Sequence, residues 1–250
     1  LRVIKLYTMN KLLLIPVFIF CGMLSAQNLD GSWKLVHKNG YEVTDMEAVQ
    51  IFKDGYYSYG AKIIEGDRFH SARGGEFFID GDNYKVIQDF NTENPELVGK
   101  EINFTIESDG DRLTISDPIN TFIWERISEE QDDLAGTWVI TGRERNGEMN
   151  IMTPGDRRSV KILSGGRFQW IAFNSATTEF SGTGGGTYSA EDGIYTENIE
   201  FFSRDDSRVG ASLEFEYEVK DGEWHHKGTS SKGDPIYEVW SPYKEAYTKK

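Results

Sequence analysis

Two adjacent histidines, His225 and His226, are the side chains of this sequence best suited to proton transfer. An imidazole titrates near neutral pH, so it can act as a general acid or a general base. Neighbouring residues on a strand face opposite sides, so only one of the pair can point into a core. If Trp224 points inward, His226 does too; if it points outward, His225 is the candidate. Tyr195 is a third group that could exchange a proton, and a packed or surface histidine is the alternative.

Several arginines in the second half of the chain could recognise an anion. A guanidinium group binds a carboxylate or a sulfate through two parallel hydrogen bonds. The candidates are Arg157, Arg158, Arg204 and Arg208. The alternative is that they form solvated ion pairs with acids close in sequence, namely Glu144, Glu148, Asp156, Asp205 and Asp206.

Two aromatic residues, Trp170 and Tyr188, lie on either side of a predicted loop in the second half. Aromatic faces stack on sugar rings, so these residues could line a carbohydrate site. The alternative is that they fill the interior of the fold. The three glycines at residues 184–186 interrupt the same region, and they indicate either a bulge or a place where a ligand approaches the backbone.

The sequence argues against several other kinds of chemistry. Its one cysteine, Cys21, lies in the N-terminal segment, and no His-x-His or His-Glu-x-x-His spacing occurs. We therefore expect no metal site built by the protein. No Rossmann fingerprint or nucleophile elbow is present, so we expect no cofactor. A net charge of −14 does not suit a nucleic-acid partner.

An internal repeat indicates which elements must position these side chains. Residues 134–138, Leu-Ala-Gly-Thr-Trp, restart the pattern of residues 29–33, Leu-Asp-Gly-Ser-Trp. Residues 49–61 match residues 160–172 at an offset of 111 residues, and further matches share that offset. A constant offset is the signature of a duplicated unit. The chain therefore holds two copies of one fold.

Both copies have the pattern of strands. Between residues 212 and 219 every second residue is apolar, which is the period of a strand with one wet face. Asp-Gly pairs between apolar runs predict tight hairpin turns. We predict eight strands in each copy, enough to close an up-and-down barrel. The predicted fold class is therefore all-β, with two tandem eight-stranded antiparallel barrels.

The N-terminal segment has the features of a signal peptide. Residues 12–24 are almost wholly apolar, and small residues precede a cleavage position after Ala26. The apolar run is too short to cross a membrane as a helix, so we expect no transmembrane segment and a secreted or periplasmic protein. We predict a signal peptide at residues 1–26, in which residues 1–8 lie upstream of the start at Met9. The rest of the chain divides into a first barrel at 27–128, a linker at 129–133, a second barrel at 134–243 and a tail at 244–250.

The Gly-x-Trp that opens each copy resembles the lipocalin and calycin families. In those families the tryptophan closes one end of the barrel, and an arginine late on the last strand packs on it. The resemblance assigns these roles to Trp33 and Arg126, whereas the second copy has no arginine at the matching place. With the tryptophan at the closed end, the loops after the first, third, fifth and seventh strands form the open mouth. In the second copy these loops carry the candidate arginines.

A second resemblance covers most of the second copy. Residues 161–172, 182–188, 224–226 and 231–235 are similar to secreted proteins of polysaccharide-degrading marine bacteria, which include an oligosaccharide dehydratase acting on ulvan. The resemblance implies a carbon–oxygen lyase that removes water from the non-reducing-end uronic acid and leaves a 4,5-unsaturated uronate. The arginines would then neutralise the sugar carboxylate, and the histidine and Tyr195 would exchange the proton.

The sequence supports two functions, and the second resemblance favours the dehydratase over the binder. The second copy could be this dehydratase, with an anionic oligosaccharide as its partner, or a lipocalin-like binder that holds a glycan or small ligand without changing it. A passive interaction module needs only the fold, and the fold by itself selects none of these. A monomer and a homodimer are both compatible with the sequence.

Overall fold

The computed structural model describes residues 28–230 and 233–247. The predicted signal peptide, and the last residues of the predicted tail, lie outside this part of the chain. Among the described residues, no helix is both long and apolar enough to cross a membrane.

The first barrel is a single antiparallel sheet. Its strands are β1 (Gly31–Lys38), β2 (Tyr41–Glu42), β3 (Met46–Lys53), β4 (Tyr56–Ile63), β5 (Arg68–Asp80), β6 (Asn83–Asn91), β7 (Glu101–Asp109), β8 (Arg112–Ser116) and β9 (Thr121–Ser128). Pairing of β1 with β9 closes the ring, and β2 only extends the first hairpin. A short 3-10 helix, Pro95–Leu97, follows β6.

The second barrel repeats this order. Its strands are β10 (Gly136–Arg145), β11 (Glu148–Ile151), β12 (Arg157–Ser164), β13 (Arg167–Asn174), β14 (Glu179–Glu191), β15 (Ile194–Phe202), β16 (Ser212–Lys220), β17 (Glu223–Thr229) and β18 (Pro235–Pro242). Pairing of β10 with β18 closes it. A 3-10 helix, Asp206–Arg208, follows β15, and a one-turn helix, α1 (Tyr243–Ala246), follows β18. The predicted fold of two closed eight-stranded barrels is confirmed.

Local sequence explains how the strands turn and bend. The pairs Asp54-Gly55 and Asp221-Gly222 have positive φ at both residues, as a two-residue hairpin turn matched to the strand twist requires. The glycine run is explained by a bulge: the register of β14 shifts between Gly185 and Gly186. A Cβ on Gly186 would lie 2.0 Å from the Asn198 carbonyl oxygen. Backbone crowding, not a ligand, therefore accounts for this glycine.

The tryptophans of the repeat close one end of each barrel. The Trp33 indole donates a hydrogen bond to the Leu29 carbonyl at 3.0 Å, and Trp138 donates to Leu134 at 2.9 Å. The Arg126 guanidinium lies 4.0 Å above the Trp33 ring, as predicted. In the second barrel Pro242 is paired with Trp138 at the equivalent place.

A buried interface joins the two barrels. It combines outward-facing residues of β3 and β4 with those of β12 and β13, and Tyr243 of α1 completes it. Ala246 and Tyr247, predicted to lie in a tail, pack against this interface. The Arg158 guanidinium donates to the Asp89 carboxylate at 2.7 Å, with both side chains nearly inaccessible. The second barrel is therefore held against the first along its β12 side.

Candidate functional site

A cavity of about 570 Å³ occupies the open half of the second barrel. Its rim includes Glu144 near the end of β10, Arg208 after β15 and Asp234 after β17. These loops lie at the ends of the strands far from Trp138, where the position of the repeat predicts the mouth. The volume falls within the range of pockets that bind small molecules.

The floor of the cavity carries a buried ion pair. Lys161 of β12 lies 2.7 Å from the Glu197 carboxylate of β15, and both side chains are 6% exposed. The Tyr195 hydroxyl donates to the same Glu197 oxygen at 2.9 Å. The Lys161 ammonium also lies 4.9 Å from the centre of the Trp224 ring and 5.1 Å from that of Tyr195. Aromatic faces and one carboxylate thus compensate for part of the lost hydration of this cation.

A second group of charges lies on β17 and β18. The Glu238 carboxylate pairs with Arg143 at the mouth and accepts a hydrogen bond from the Trp240 indole at 3.1 Å. The Nδ1 atom of His226 lies 3.6 Å from Glu238, which is longer than a hydrogen bond. Neither ring nitrogen of His226 has a hydrogen-bond partner among the described residues, although the side chain is 2% exposed. Most buried polar groups in folded proteins have a hydrogen-bond partner, so an imidazole without one calls for an explanation.

The pKa values of this group follow from burial and neighbouring charge. Burial and the nearby Lys161 ammonium lower the pKa of His226 below 6.5, which keeps the imidazole neutral at pH 7. Burial alone would raise the pKa of Glu238. The neighbouring His226 and the charges of Arg143 and Lys161 outweigh it and lower that pKa to about 2. The cavity therefore presents a neutral imidazole beside an ionised carboxylate, an arrangement suited to accepting a proton.

The two predicted catalytic histidines take different positions. Trp224 and His226 both point into the barrel, so the alternation along β17 selects His226. His225 faces outward, and its ring nitrogen lies 2.9 Å from the Tyr237 hydroxyl. Tyr195 is buried beneath the cavity, and burial followed by the charge of Glu197 raises the pKa of its hydroxyl well above the usual value. Tyr195 is therefore a neutral hydrogen-bond donor to Glu197, and its part in proton exchange stays a prediction.

Of the two aromatic residues predicted to contact a sugar, one lines the cavity and the other does not. Trp170 lines the cavity wall and packs against Phe202. Tyr188 lies in the core towards the closed end, where its hydroxyl donates to Asp132 at 2.6 Å. Tyr188 does not line the cavity, so the position does not suit its predicted contact with a sugar.

The predicted arginines do not form one cluster. Arg204 and Arg208 line the cavity mouth, where Arg208 also pairs with Asp205 at 3.4 Å. Arg157 is exposed and lines a neighbouring cleft. Arg158 faces away from the barrel interior, because its neighbour Ser159 lines the cavity and adjacent strand residues point to opposite faces. Its guanidinium pairs with Asp89 between the barrels, and it lines the neighbouring cleft and not the barrel cavity; its contact with a ligand stays a prediction.

The first barrel lacks these polar interior groups. Its corresponding cavity is only about 40 Å³. Strand pairing and the sequence offset match the interior residues of the two barrels. Lys161 corresponds to Gln50, Glu197 to Val86, His226 to Ile115 and Glu238 to Phe122. The two copies therefore share a fold, and only the second carries ionisable groups at these four positions.

Sequence reasoning missed Lys161, Glu197 and Glu238 as site residues. The sequence held a signal for them, because each charged residue stands at a position where alternation along its strand otherwise places apolar residues. Glu238 alternates with Ile236 and Trp240, as Glu197 does with Tyr195 and Ile199. A charged residue at such a position must point inward and is seldom buried without a partner. Among the described residues, no group of three or more His, Cys, Asp or Glu side chains is arranged to hold a metal ion.

Comparison with known proteins gives a family model and several solved structures, of which two are described. Residues 133–249 match a model described as a domain of unknown function, DUF4488. A lipocalin-like protein from Bacteroides uniformis is 16% identical, with 39% of this chain and 97% of that chain covered and a TM-score of 0.32. A mutant of the vaccine antigen transferrin binding protein B from Haemophilus parasuis is 8% identical, with 84% of this chain and 64% of that chain covered and a TM-score of 0.24. No curated protein matches the chain.

Proposed function

We propose that the second barrel binds the acidic end of an oligosaccharide in its cavity. The observation that carries this proposal is His226, a buried imidazole with two partnerless nitrogens that lines a cavity of about 570 Å³. Filling the cavity with a polar ligand would satisfy these nitrogens. Ile115, which occupies the position of His226 in the first barrel, offers no such partner.

The charges at the cavity admit a ligand with a carboxylate. Its lining carries four cations, Arg143, Lys161, Arg204 and Arg208, and four acids, Glu144, Glu197, Asp234 and Glu238, so the cavity is balanced in charge on a chain with a net charge of −14. Guanidinium groups bind a carboxylate in a bidentate manner. Trp170 provides an aromatic wall, a surface on which a sugar ring can stack. A uronic acid combines both features.

The second candidate function is dehydration of that uronic acid, and the state of His226 favours it. The neutral imidazole would accept the C5 proton while the C4–O bond breaks, a C4=C5 double bond forms and the 4-hydroxyl leaves as water. In this scheme the Lys161 ammonium would protonate the leaving hydroxyl, and transfer of the proton from His226 to Lys161 would restore the enzyme. Arginine at the mouth would stabilise the negative charge that develops on the carboxylate.

The test uses a uronate-terminated oligosaccharide, with binding followed by calorimetry and elimination by the absorbance of the unsaturated uronate. We expect His226→Gln to retain binding and to lose about 100-fold or more in turnover, the usual size of a general-base effect. His225→Gln is the matched control, because this neighbour faces outward. A bound ligand that stays chemically unchanged would support the binder alone. No binding to the wild type would overturn both functions.

We further propose that the protein works in the periplasm or outside the cell. The apolar segment at residues 12–24 and the small residues before Gln27 support this. Sequencing the N-terminus of protein recovered from the periplasm or the medium tests it, and we expect the mature chain to begin at Gln27. A chain retained in the cytoplasm with its N-terminal segment intact would contradict it.

A further inference from the structure

A second cleft, of about 400 Å³, lies beside the mouth of the second barrel. It is lined by five arginines and no acidic residue: Arg143, Arg145, Arg157, Arg158 and Arg204. The rest of its lining is neutral. Such a concentration of one charge is unexpected on a chain with a net charge of −14, and it favours an anionic occupant.

The arginines of the cleft differ in how far their charge is compensated. Arg143 and Arg158 are paired with Glu238 and Asp89. Arg204 donates to the backbone carbonyl of Ser181 at 2.6 Å, a contact that fixes the side chain without neutralising it. Arg145 and Arg157 are exposed, and neither forms an ion pair with any residue of the described chain.

The sequence alone left open that the candidate arginines pair with nearby acids. Within residues 28–230 and 233–247, Arg208 forms such a pair, with Asp205 at 3.4 Å. Arg157 and Arg204 form none with the acids named for them. Three guanidinium charges of the cleft, those of Arg145, Arg157 and Arg204, therefore lack a carboxylate partner in this part of the chain.

The cleft is continuous with the barrel cavity. Arg143, Ser159, Ala172 and Arg204 line both. A ligand whose end is held beside His226 would therefore leave the barrel past Arg204 and run into the cleft. Arginine along this path binds oxyanions by paired, charge-assisted hydrogen bonds.

We propose that the cleft is a second anion subsite, which holds a carboxylate or sulfate group on the sugar unit next to the one inside the barrel. The ligand is then an oligosaccharide with at least two anionic groups, and Arg145 and Arg157 select it. This inference rests on the proposed binding of an acidic saccharide end in the barrel, and it adds the charge of the neighbouring unit.

The experiment compares two ligands on two proteins. The ligands are a disaccharide whose only anion is its terminal uronate, and the same disaccharide with a sulfate or second carboxylate on the adjacent unit. We expect the wild type to prefer the dianionic ligand by about tenfold or more, the size of one charge-assisted hydrogen bond. Arg145→Gln combined with Arg157→Gln should abolish this preference and leave the affinity for the singly charged ligand unchanged. Comparing the sulfate with the carboxylate form shows which group the subsite takes.

The matched control removes two exposed cations from the first barrel. Lys100→Gln combined with Arg112→Gln changes the net charge equally, and we expect it to keep the preference. Equal affinity of the wild type for both ligands, or equal loss in the control, would overturn the subsite.

Failure of the proposed function is distinguishable from failure of the subsite. If the wild type binds neither disaccharide, the proposed function is overturned. In that case a titration with inorganic sulfate, monitored through the arginine Nε–H resonances, tests whether the cleft binds an anion. Shifts of the Arg145 and Arg157 resonances support an anion site there, and their absence overturns it.

Discussion

At the scale of single residues, His226 and its neighbour His225 lie in different environments. His225 and His226 are adjacent in sequence, yet one contacts Tyr237 on the outer face and the other lines the cavity. Burial and the Lys161 charge lower the pKa of His226 below 6.5. The unfolded chain therefore binds this proton at a higher pH than the folded chain does.

This difference predicts a pH dependence of stability. The contribution of neutral His226 is fully present above about pH 6.5, and it is lost as the pH falls below that value toward the folded pKa. We expect the free energy of unfolding of the wild type, minus that of His226→Gln, to rise as the pH increases toward about 6.5 and then to level off. Urea unfolding at a series of pH values measures it. The same subtraction with His225→Gln should be flat, and a flat curve for His226 would contradict the assignment.

At the scale of elements, β12 and β15 show how one barrel acquired a polar interior. The Lys161–Glu197 pair replaces Gln50 and Val86 of the first barrel. A buried ion pair is costly to form, and removal of one partner strands a charge. The pair therefore stabilises the second barrel little, which is a reason to look for its role in the cavity.

Exchange of the pair for its counterparts tests this. Glu197→Val alone should lower the free energy of unfolding by about 3–5 kcal/mol, because Lys161 then lacks its carboxylate. Addition of Lys161→Gln should recover most of that loss while abolishing binding of an acidic saccharide. Urea unfolding and calorimetry measure the two effects. A double variant as unstable as the single one would show that the pair is needed for folding.

At the scale of the whole molecule, the two barrels are coupled through Asp89 and Arg158. The hydroxyls of Tyr56 and Tyr243 also donate to the Asp89 carboxylate, at 3.2 and 3.1 Å. This network seats α1 in the interface and holds the second barrel in one orientation. The first barrel, whose own cavity is small, thereby supports the β12 wall of the candidate site.

Removal of the interface cation should loosen the two barrels without altering the cavity chemistry. Arg158→Gln leaves Asp89 buried without its cation, and we expect a loss of about 3–5 kcal/mol in the free energy of unfolding. Cleavage at the acidic linker, residues 129–133, by a protease specific for glutamate should become faster. Affinity for the saccharide with a single carboxylate should stay the same. A large loss of that affinity would show that Arg158 takes part in binding the ligand.

The architecture was accessible from the sequence because it rests on local and periodic signals. The repeat from Trp33 to Trp138, alternation of apolar residues and Asp-Gly turns predict two barrels and the end at which each opens. The short strands β2 and β11 and the turn of helix at Tyr243 were not predicted, because pairing with a neighbour, more than their own sequence, stabilises them. The sequence did not select which of His225 and His226 points into the barrel, because a shift of one residue exchanges the two faces of a strand.

The sequence by itself determined the order and closure of the eight barrel strands in each copy, since these follow from the period of the chain and its duplication. Only the tertiary structure decided which charged side chains meet. Lys161 reaches Glu197, 36 residues away, because barrel closure brings β12 and β15 across the same interior. Arg158 reaches Asp89 because the two barrels pack along one face. Contacts of this kind depend on strand register and barrel docking, and the sequence around either partner does not encode them locally.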